Sequence, residues 1–197
     1  MSLGVTGMIL AGGRGTRMGG VDKGLQAFRG KPMATHVIER LRPQVDKLAV
    51  NANQNLDIYR RFGRAVWPDR MEAFPGPLAG LHTGLLACDT PYLVTAPCDS
   101  PFLPMDLVAR LKDALERHDA NIAFAVTGEG TSRQAHPVFC LLRVRACLAP
   151  LVQYLEDGGR RMEAWMRAQD AVEVAFPDDD AFRNINTLEE LKTLDTP

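Results

Sequence analysis

Apolar residues fall along this chain in two alternating rhythms: short unbroken runs, and longer stretches in which every third or fourth position is apolar. The first rhythm is that of buried strands and the second that of helices with one face turned to a core. Val5 to Ala11 is an apolar run cut off by Gly12-Gly13, which predicts a strand feeding a loop. Met33 to Leu41 sets Val37, Ile38 and Leu41 on one helical face, and Arg42-Pro43 ends it because proline disfavours helix in the preceding residue. A strand over Lys47 to Asn51, a helix over Asn55 to Phe62 and a strand over Ala65 to Trp67 follow. The turn Phe74-Pro75-Gly76-Pro77 leads into a helix from Leu78 to Cys88, then a strand from Tyr92 to Ala96 that stops at Pro97-Cys98-Asp99.

Beyond that point Leu107, Val108, Leu111 and Leu115 predict a helix within Pro104 to His118, and Asn121 to Val126 reads as a strand before a loop at Gly128 to Gly130. After His136-Pro137, Val138 to Leu142 reads as a strand pairing antiparallel with its predecessor, and helical segments flank Gly158-Gly159. Thr187-Leu188-Glu189-Glu190 has the form of a capping box, so Thr187 is expected to cap a last helix through Leu191 and Leu194. Strands alternating with helices build a parallel sheet. The expected fold is therefore α/β: a single Rossmann-like domain over residues 1–197, with a mostly parallel sheet flanked by helices and an antiparallel excursion in the second half.

Composition narrows the function classes. At 197 residues, 46% hydrophobic and 24% charged, the chain is of ordinary globular make-up, with no repeat or low-complexity tract. A net charge of −1 argues against broad capture of nucleic acid or anionic lipid, whereas a small phosphorylated substrate needs only a local cluster of cations. No window approaches the roughly 18 apolar residues of a spanning helix, and the first residues lack a basic segment followed by an apolar one. A cytoplasmic protein without membrane contact is expected. Cys88, Cys98, Cys140 and Cys147 form no C-x-x-C pair and have no histidine at zinc-ligand spacing, which predicts buried reduced thiols. Asp178-Asp179-Asp180 reads as a solvated loop.

The chemistry is concentrated in the run from Leu10 to Gly20. Glycines after a strand let backbone N–H groups approach an anion, and Arg14, Arg17 and Lys23 add cations on or just past the loop, a combination suited to a polyphosphate. It is not a P-loop, since Lys23 lies between Asp22 and Gly24. Nor is it a dinucleotide fingerprint: Met18 stands where the last glycine belongs, and the second strand ends in Asn51 instead of an acidic residue.

Leu10-Ala11-Gly12-Gly13, Arg17-Met18-Gly19 and Asp22-Lys23 resemble the opening of the molybdenum cofactor guanylyltransferases. The resemblance continues through Gly30-Lys31-Pro32, Val50-Asn51-Ala52-Asn53, Pro75-Gly76-Pro77-Leu78-Ala79-Gly80, Pro97-Cys98-Asp99, His136-Pro137 and Asn184-Ile185-Asn186-Thr187, in order and over nearly the whole chain. It implies transfer of GMP from GTP to molybdopterin with release of pyrophosphate, and a magnesium ion held by Asp99. Leu10, Ala11, Gly12 and Gly13 are implied to meet the nucleotide, Lys23 its phosphates, and Asn51 and Asp69 its base or ribose. Arg17 and Lys23, with Asp99, are the residues expected to offset charge at the reacting phosphates. Gly12, where related cytidylyltransferases carry alanine, is expected to leave room beside a purine.

For the molybdopterin side the candidates are Arg160, Arg161, Asn184 and Asn186. The arginines also read as a solvated helix start, and the asparagines as turn formers. Of His36, His82, His118 and His136, only His136 is worth testing as more than a packing or surface residue. A transient contact with molybdoenzymes or their chaperones is implied, and the chain is expected to act as a monomer. The readings that compete are a molybdopterin cytidylyltransferase, a sugar-1-phosphate nucleotidyltransferase and a non-catalytic nucleotide- or cofactor-binding module.

Overall fold

The computed structural model describes residues 4–13, 21–62, 64–71 and 76–195. Strand β1 (Val5–Leu10) is buried along nearly its whole length and runs into the Gly12-Gly13 turn. Past a 3-10 turn at Lys23–Leu25, β2 (Ala27–Phe28) and β3 (Lys31–Pro32) form a small hairpin over Arg29 and Gly30, whose φ angles are 48° and 76°. Two positive-φ residues in succession match the twist of a tight hairpin. Then come α1 (Met33–Leu41), β4 (Lys47–Asn51), α2 (Leu56–Arg60), β5 (Ala65–Trp67), α3 (Pro77–Ala87) and β6 (Tyr92–Pro97). The rest of the chain forms α4 (Leu107–Arg117), β7 (Ile122–Thr127), β8 (Gln134–Arg143), α5 (Val144–Glu156), α6 (Met162–Ala168), β9 (Val172–Phe176) and α7 (Leu188–Asp195).

Seven strands make one sheet in the order β5-β4-β1-β6-β8-β7-β9. All run parallel except β8, which is antiparallel to both β6 and β7. That is the mostly parallel, Rossmann-like α/β sheet expected, with its excursion in the second half. Side chains alternate between two apolar layers even where a strand is buried on both faces. Val5 and Ile9 of β1 pack with Val37 and Leu41 of α1 and Leu107 and Leu111 of α4. Met8 of the same strand points the other way, to Leu81 of α3, Leu151 of α5 and Trp165 of α6. Burying each such side chain contributes about 1.5–3 kcal/mol, so the two layers hold the sheet edge rigid.

The structure corrects the sequence reading in four places. Helix α2 is shorter than Asn55 to Phe62, because Asn55 adopts a left-handed φ of 52° and lies outside it. Strand β8 begins before His136-Pro137, at Gln134. Proline is accommodated there by a bulge: Phe124 pairs with Cys140 but Ala125 with His136, leaving Pro137, Val138 and Phe139 without partners on β7. Strand β9 was not foreseen, although Val172, Val174 and Phe176 alternate with Glu173 and Ala175. The β2-β3 hairpin was also not foreseen. Cys98, Cys140 and Cys147 are buried, and Cys88 is half-buried.

Candidate functional site

In an open parallel sheet, ligands bind beyond the carboxyl ends of strands where the strand order reverses. Here the chain winds outward from β1 to β4 and β5, then returns to lay β6 on the other side of β1. Register aligns the three strand ends, with Leu10 opposite both Asn51 and Pro97. Backbone bonds extend the alignment past the strands: Ala11 N–H donates to Asn51 C=O at 2.8 Å and Cys98 N–H to Leu10 C=O at 3.1 Å. A cleft of about 530 Å³ opens above this edge, lined by Gly12, Gly13, Lys23, Asn51, Asp99 and Asn186 among others.

Three distant segments meet on Lys23. Its ammonium donates to Asp99 Oδ2 at 3.2 Å and to Asn186 Oδ1 at 2.7 Å. The side chains of Lys23 and Asp99 are only 21% and 10% exposed, so the pair is weakly screened and still reachable from the cleft. Asp22 caps the turn that carries Lys23, accepting from Gly24 N–H at 3.2 Å. The carboxylate of Asp22 is held in turn by the Tyr59 hydroxyl at 2.6 Å and by Asn55 Nδ2 at 3.0 Å. Tyr59 is fully buried, and burial, Cys98 and Asp22 push its phenol pKa up, so it stays a hydrogen-bond donor. Gly24 has no Cβ for a reason visible in the geometry: one would lie 2.5 Å from the Tyr59 hydroxyl.

The Asn184-Ile185-Asn186 segment is pinned to the end of β6. Ser100 Oγ donates to Asn184 Oδ1 at 2.5 Å and Ile185 N–H to Asp99 C=O at 2.9 Å. Ile185 between the two asparagines is fully buried against Phe28 and Met33. The unforeseen hairpin therefore forms part of the wall on which this segment rests. Asn184 and Asn186, read from sequence as acceptor-side residues, thus stand against the same centre as Lys23 and Asp99.

A second cluster borders the Gly12 backbone. Asn51, 2% exposed, donates from Nδ2 to Trp67 C=O at 2.9 Å and to Asp69 Oδ1 at 2.8 Å. Asn53 donates from Nδ2 to Asp69 Oδ2 at 2.7 Å and to Gly12 C=O at 3.2 Å, and accepts from Asp69 N–H at 2.8 Å. A Cβ on Gly12 would come within 2.9 Å of Asn53 Nδ2 and 3.0 Å of Asn51 Oδ1. One on Gly80 of α3 would come within 2.5 Å of Asn51 Oδ1. Both glycines make room for asparagine side chains, so the missing methyl of Gly12 serves this amide network in the first instance.

A second cleft, of about 420 Å³, adjoins the first and shares Pro97, Val138, Asn184 and Asn186 with it. It lies past the last paired residues of β6 and β8, Thr95 and Cys140, beside the β8 bulge. His136 lines it, stacked on Phe182 with centroids 4.8 Å apart and sharing a hydrogen bond of 2.8 Å with the Thr127 hydroxyl. Burial holds the His136 pKa below its usual value, against an opposing pull from Asp179.

Two arginine expectations stand apart from these clefts. Arg160 and Arg161 are exposed and line neither; Arg160 donates to the carbonyls of Leu155 and Gly159 at the end of α5. Arg17, like Arg14, lies outside the described residues. Asn53, Asp22 and Tyr59 are the residues sequence reasoning left without a role. The first two already stood inside motifs it singled out.

Comparison with known proteins settles the family. A family model described as "MobA-like NTP transferase domain" matches residues 7–172. The chain belongs to the MobA-like NTP transferases. It is 56% identical over 193 residues to a molybdenum cofactor guanylyltransferase of Cupriavidus necator, covering 98% of this chain and 96% of the other. The corresponding protein of Ralstonia pickettii is 55% identical over 196 residues, covering 96% and 95%. Among solved structures, the molybdopterin-guanine dinucleotide biosynthesis protein A of Archaeoglobus fulgidus superposes with a TM-score of 0.74 at 20% identity, covering 96% of each chain. A 4-diphosphocytidyl-2C-methyl-D-erythritol synthase of Anaerococcus prevotii gives 0.75 at 12% identity, covering 97% of this chain and 96% of that one. The fold is thus shared by a protein named for a guanine dinucleotide and one named for a diphosphocytidyl compound.

For a nucleotidyltransferase, the surroundings of Asp99 fit a hard divalent ion. Among the described residues Asp22 and Asp99 are the carboxylates lining the first cleft, and both oxygens of Asp22 are engaged by Gly24, Asn55 and Tyr59. That leaves Asp99 as the carboxylate able to face an ion, and one carboxylate with phosphate and water oxygens to complete the shell is the usual arrangement for magnesium. No helix among the described residues of this transferase is long and apolar enough to cross a membrane.

Proposed function

We propose that this chain transfers GMP from GTP to the terminal phosphate of molybdopterin, giving a guanine dinucleotide form of the cofactor and pyrophosphate. The observation that carries the reading is the Lys23–Asp99–Asn186 contact, made where a cleft over the Gly12-Gly13 turn meets a second cleft. GTP lies in the first, its phosphates toward Lys23; the acceptor enters from the second, its phosphate beside Asn184 and Asn186.

An acceptor phosphate oxygen then attacks the α-phosphorus of GTP. The bond from that phosphorus to the bridging oxygen breaks, and the β- and γ-phosphates leave as pyrophosphate. Both reactants are anionic, so repulsion and misalignment are the main barriers, and positioned charge is the main remedy. Lys23 sets a cation at the phosphates, and Arg17 adds a second by the family resemblance. A magnesium ion at Asp99 would neutralise phosphate charge and fix the triphosphate in line. Asn186, bonded to Lys23, couples the acceptor side to the nucleotide side. No covalent nucleophile is needed, since the acceptor supplies one. The reaction belongs in the cytoplasm, with handover of the product to a molybdoenzyme or its chaperone.

The supporting test is pyrophosphate release in the presence of molybdopterin and magnesium with GTP, CTP or ATP. Release with GTP well above the others is expected. Release with CTP above GTP would move the chain to the cytidylyl reading, and release with none would leave a binding module.

A further inference from the structure

The Asp69 carboxylate is held more firmly than a loop residue requires. Asn51 binds one of its oxygens at 2.8 Å and Asn53 the other at 2.7 Å, while Asn53 Oδ1 takes the Asp69 backbone N–H at 2.8 Å. Asn53 also bonds the Gly12 carbonyl, and Asp69 Oδ2 lies 3.6 Å from where a Gly12 Cβ would be. Asn53 is an exposed side chain that nonetheless makes contacts on two segments. It ties the orientation of one carboxylate to the backbone that lines the nucleotide cleft.

Each carboxylate oxygen accepts up to two hydrogen bonds in its plane. With one amide donor on each, both Asp69 oxygens keep an acceptor position, and the carboxylate stands behind Gly12 and Asn51, which line the cleft, without lining it itself. A planar ligand edge with two adjacent donors matches this pattern, and among the nucleobases guanine, with its N1–H and 2-amino group, has that edge. Adenine and cytosine present a ring-nitrogen acceptor there and would be repelled. The staggered hydroxyls of a ribose gain less from a fixed plane.

We propose that Asn53 is a specificity-determining positioning residue: by locking Asp69 against Asn51 and Gly12, it aligns the carboxylate with the donor edge of guanine. The inference rests on the guanylyltransferase reading. Asn53 does not touch the base; it acts through Asp69.

The test compares kcat/KM for pyrophosphate release with GTP, inosine triphosphate and 2′-deoxy-GTP in the wild-type protein, Asn53→Ala and Asn53→Asp. Inosine triphosphate lacks the 2-amino donor, and loss of a hydrogen bond to a charged acceptor should cost the wild type about tenfold or more. Asn53→Ala should reduce the GTP-to-inosine ratio at least about threefold, and Asn53→Asp, which sets a second carboxylate against Asp69, should reduce it further. In an Asp69→Ala background, Asn53→Ala should leave the ratio unchanged, since the two act as one unit. The GTP-to-deoxy-GTP ratio should hold throughout, and thermal melting checks that both variants fold. An unchanged GTP-to-inosine ratio in Asn53→Ala, with all rates falling together, would reduce Asn53 to a loop support and overturn the inference. A shift confined to deoxy-GTP would overturn it in favour of a sugar contact. Wild-type protein that releases no pyrophosphate from GTP would instead overturn the guanylyltransferase reading, and the inference with it.

Discussion

Among the described residues the Asp99–Lys23 ion pair joins the turn at Lys23–Leu25 to the end of β6, and each side chain restrains the other. Asp99→Ala should lower kcat by at least about a hundredfold, the scale of losing preorganised charge at a phosphoryl centre, while melting within a few degrees of wild type. Pyrophosphate release beside a thermal melt checks this, and a rate near wild type would remove Asp99 from the mechanism. Tyr59 makes a subtler case, since its hydroxyl reaches Lys23 only through Asp22. Tyr59→Phe keeps the buried ring and deletes one charge-assisted bond, so kcat/KM for GTP should fall about tenfold. In an Asp22→Asn background the same substitution should add little, and additive losses would show that Tyr59 acts elsewhere. Lys23, Asp99 and Asn51 were legible as candidates because they sit at strand ends or in ordered motifs, and Asp69 only through the family resemblance. The partners that aim them were not. Tyr59 looks like any core aromatic until the missing Cβ of Gly24 is seen to clear its hydroxyl, and Asn53 has no apolar or charge pattern to mark it.

At the scale of elements, a short segment governs how the two clefts meet. The capping box at α7 is present as the sequence indicates: Glu190 N–H donates to Thr187 Oγ1 at 3.1 Å, and Thr187 N–H to Glu190 Oε2 at 3.1 Å. The same carboxylate accepts from Asn186 N–H at 2.8 Å, and this bond is the first cause of its lowered pKa. Glu190→Ala should therefore cut kcat/KM for the acceptor several-fold, in excess of the roughly 1 kcal/mol expected from losing a helix cap. Titrating molybdopterin at saturating GTP distinguishes the two, because a pure cap defect would lower the melting temperature and spare the acceptor KM. Strand β9 went unread because Val172 to Phe176 follows a helix and borders an acidic loop, so its period-2 pattern was short and flanked by charge. The β2-β3 hairpin was hidden for a different reason. Two-residue strands carry no period at all, and they are defined by the pairing of Ala27 with Pro32 and Phe28 with Lys31 across the positive-φ turn at Arg29 and Gly30.

Across the whole molecule, the mostly parallel sheet and its antiparallel excursion followed from the alternation of runs and faces, whereas the strand order with β9 at its edge, and the bulge beside the second cleft, are encoded by no periodicity. Two histidines, of which only His136 lines that cleft, give the protein a pH signature. His136 and His82 both have pKa values lowered first by burial, from an ordinary 6.5. The unfolded chain then binds more protons than the folded one below that value, so stability is full above about 6.5 and is lost as the pH falls below it, through the folded values. Urea midpoints between pH 8 and pH 5 should decline in the wild type and decline less in His136→Gln. A midpoint that rises on acidification would contradict the burial argument.

The most direct test of the account is to incubate the protein with molybdopterin, GTP and magnesium and weigh the pterin product. A gain equal to one GMP unit, matched by one pyrophosphate released, is predicted. An unmodified pterin, or one carrying CMP when CTP is supplied in equal amount, would contradict it.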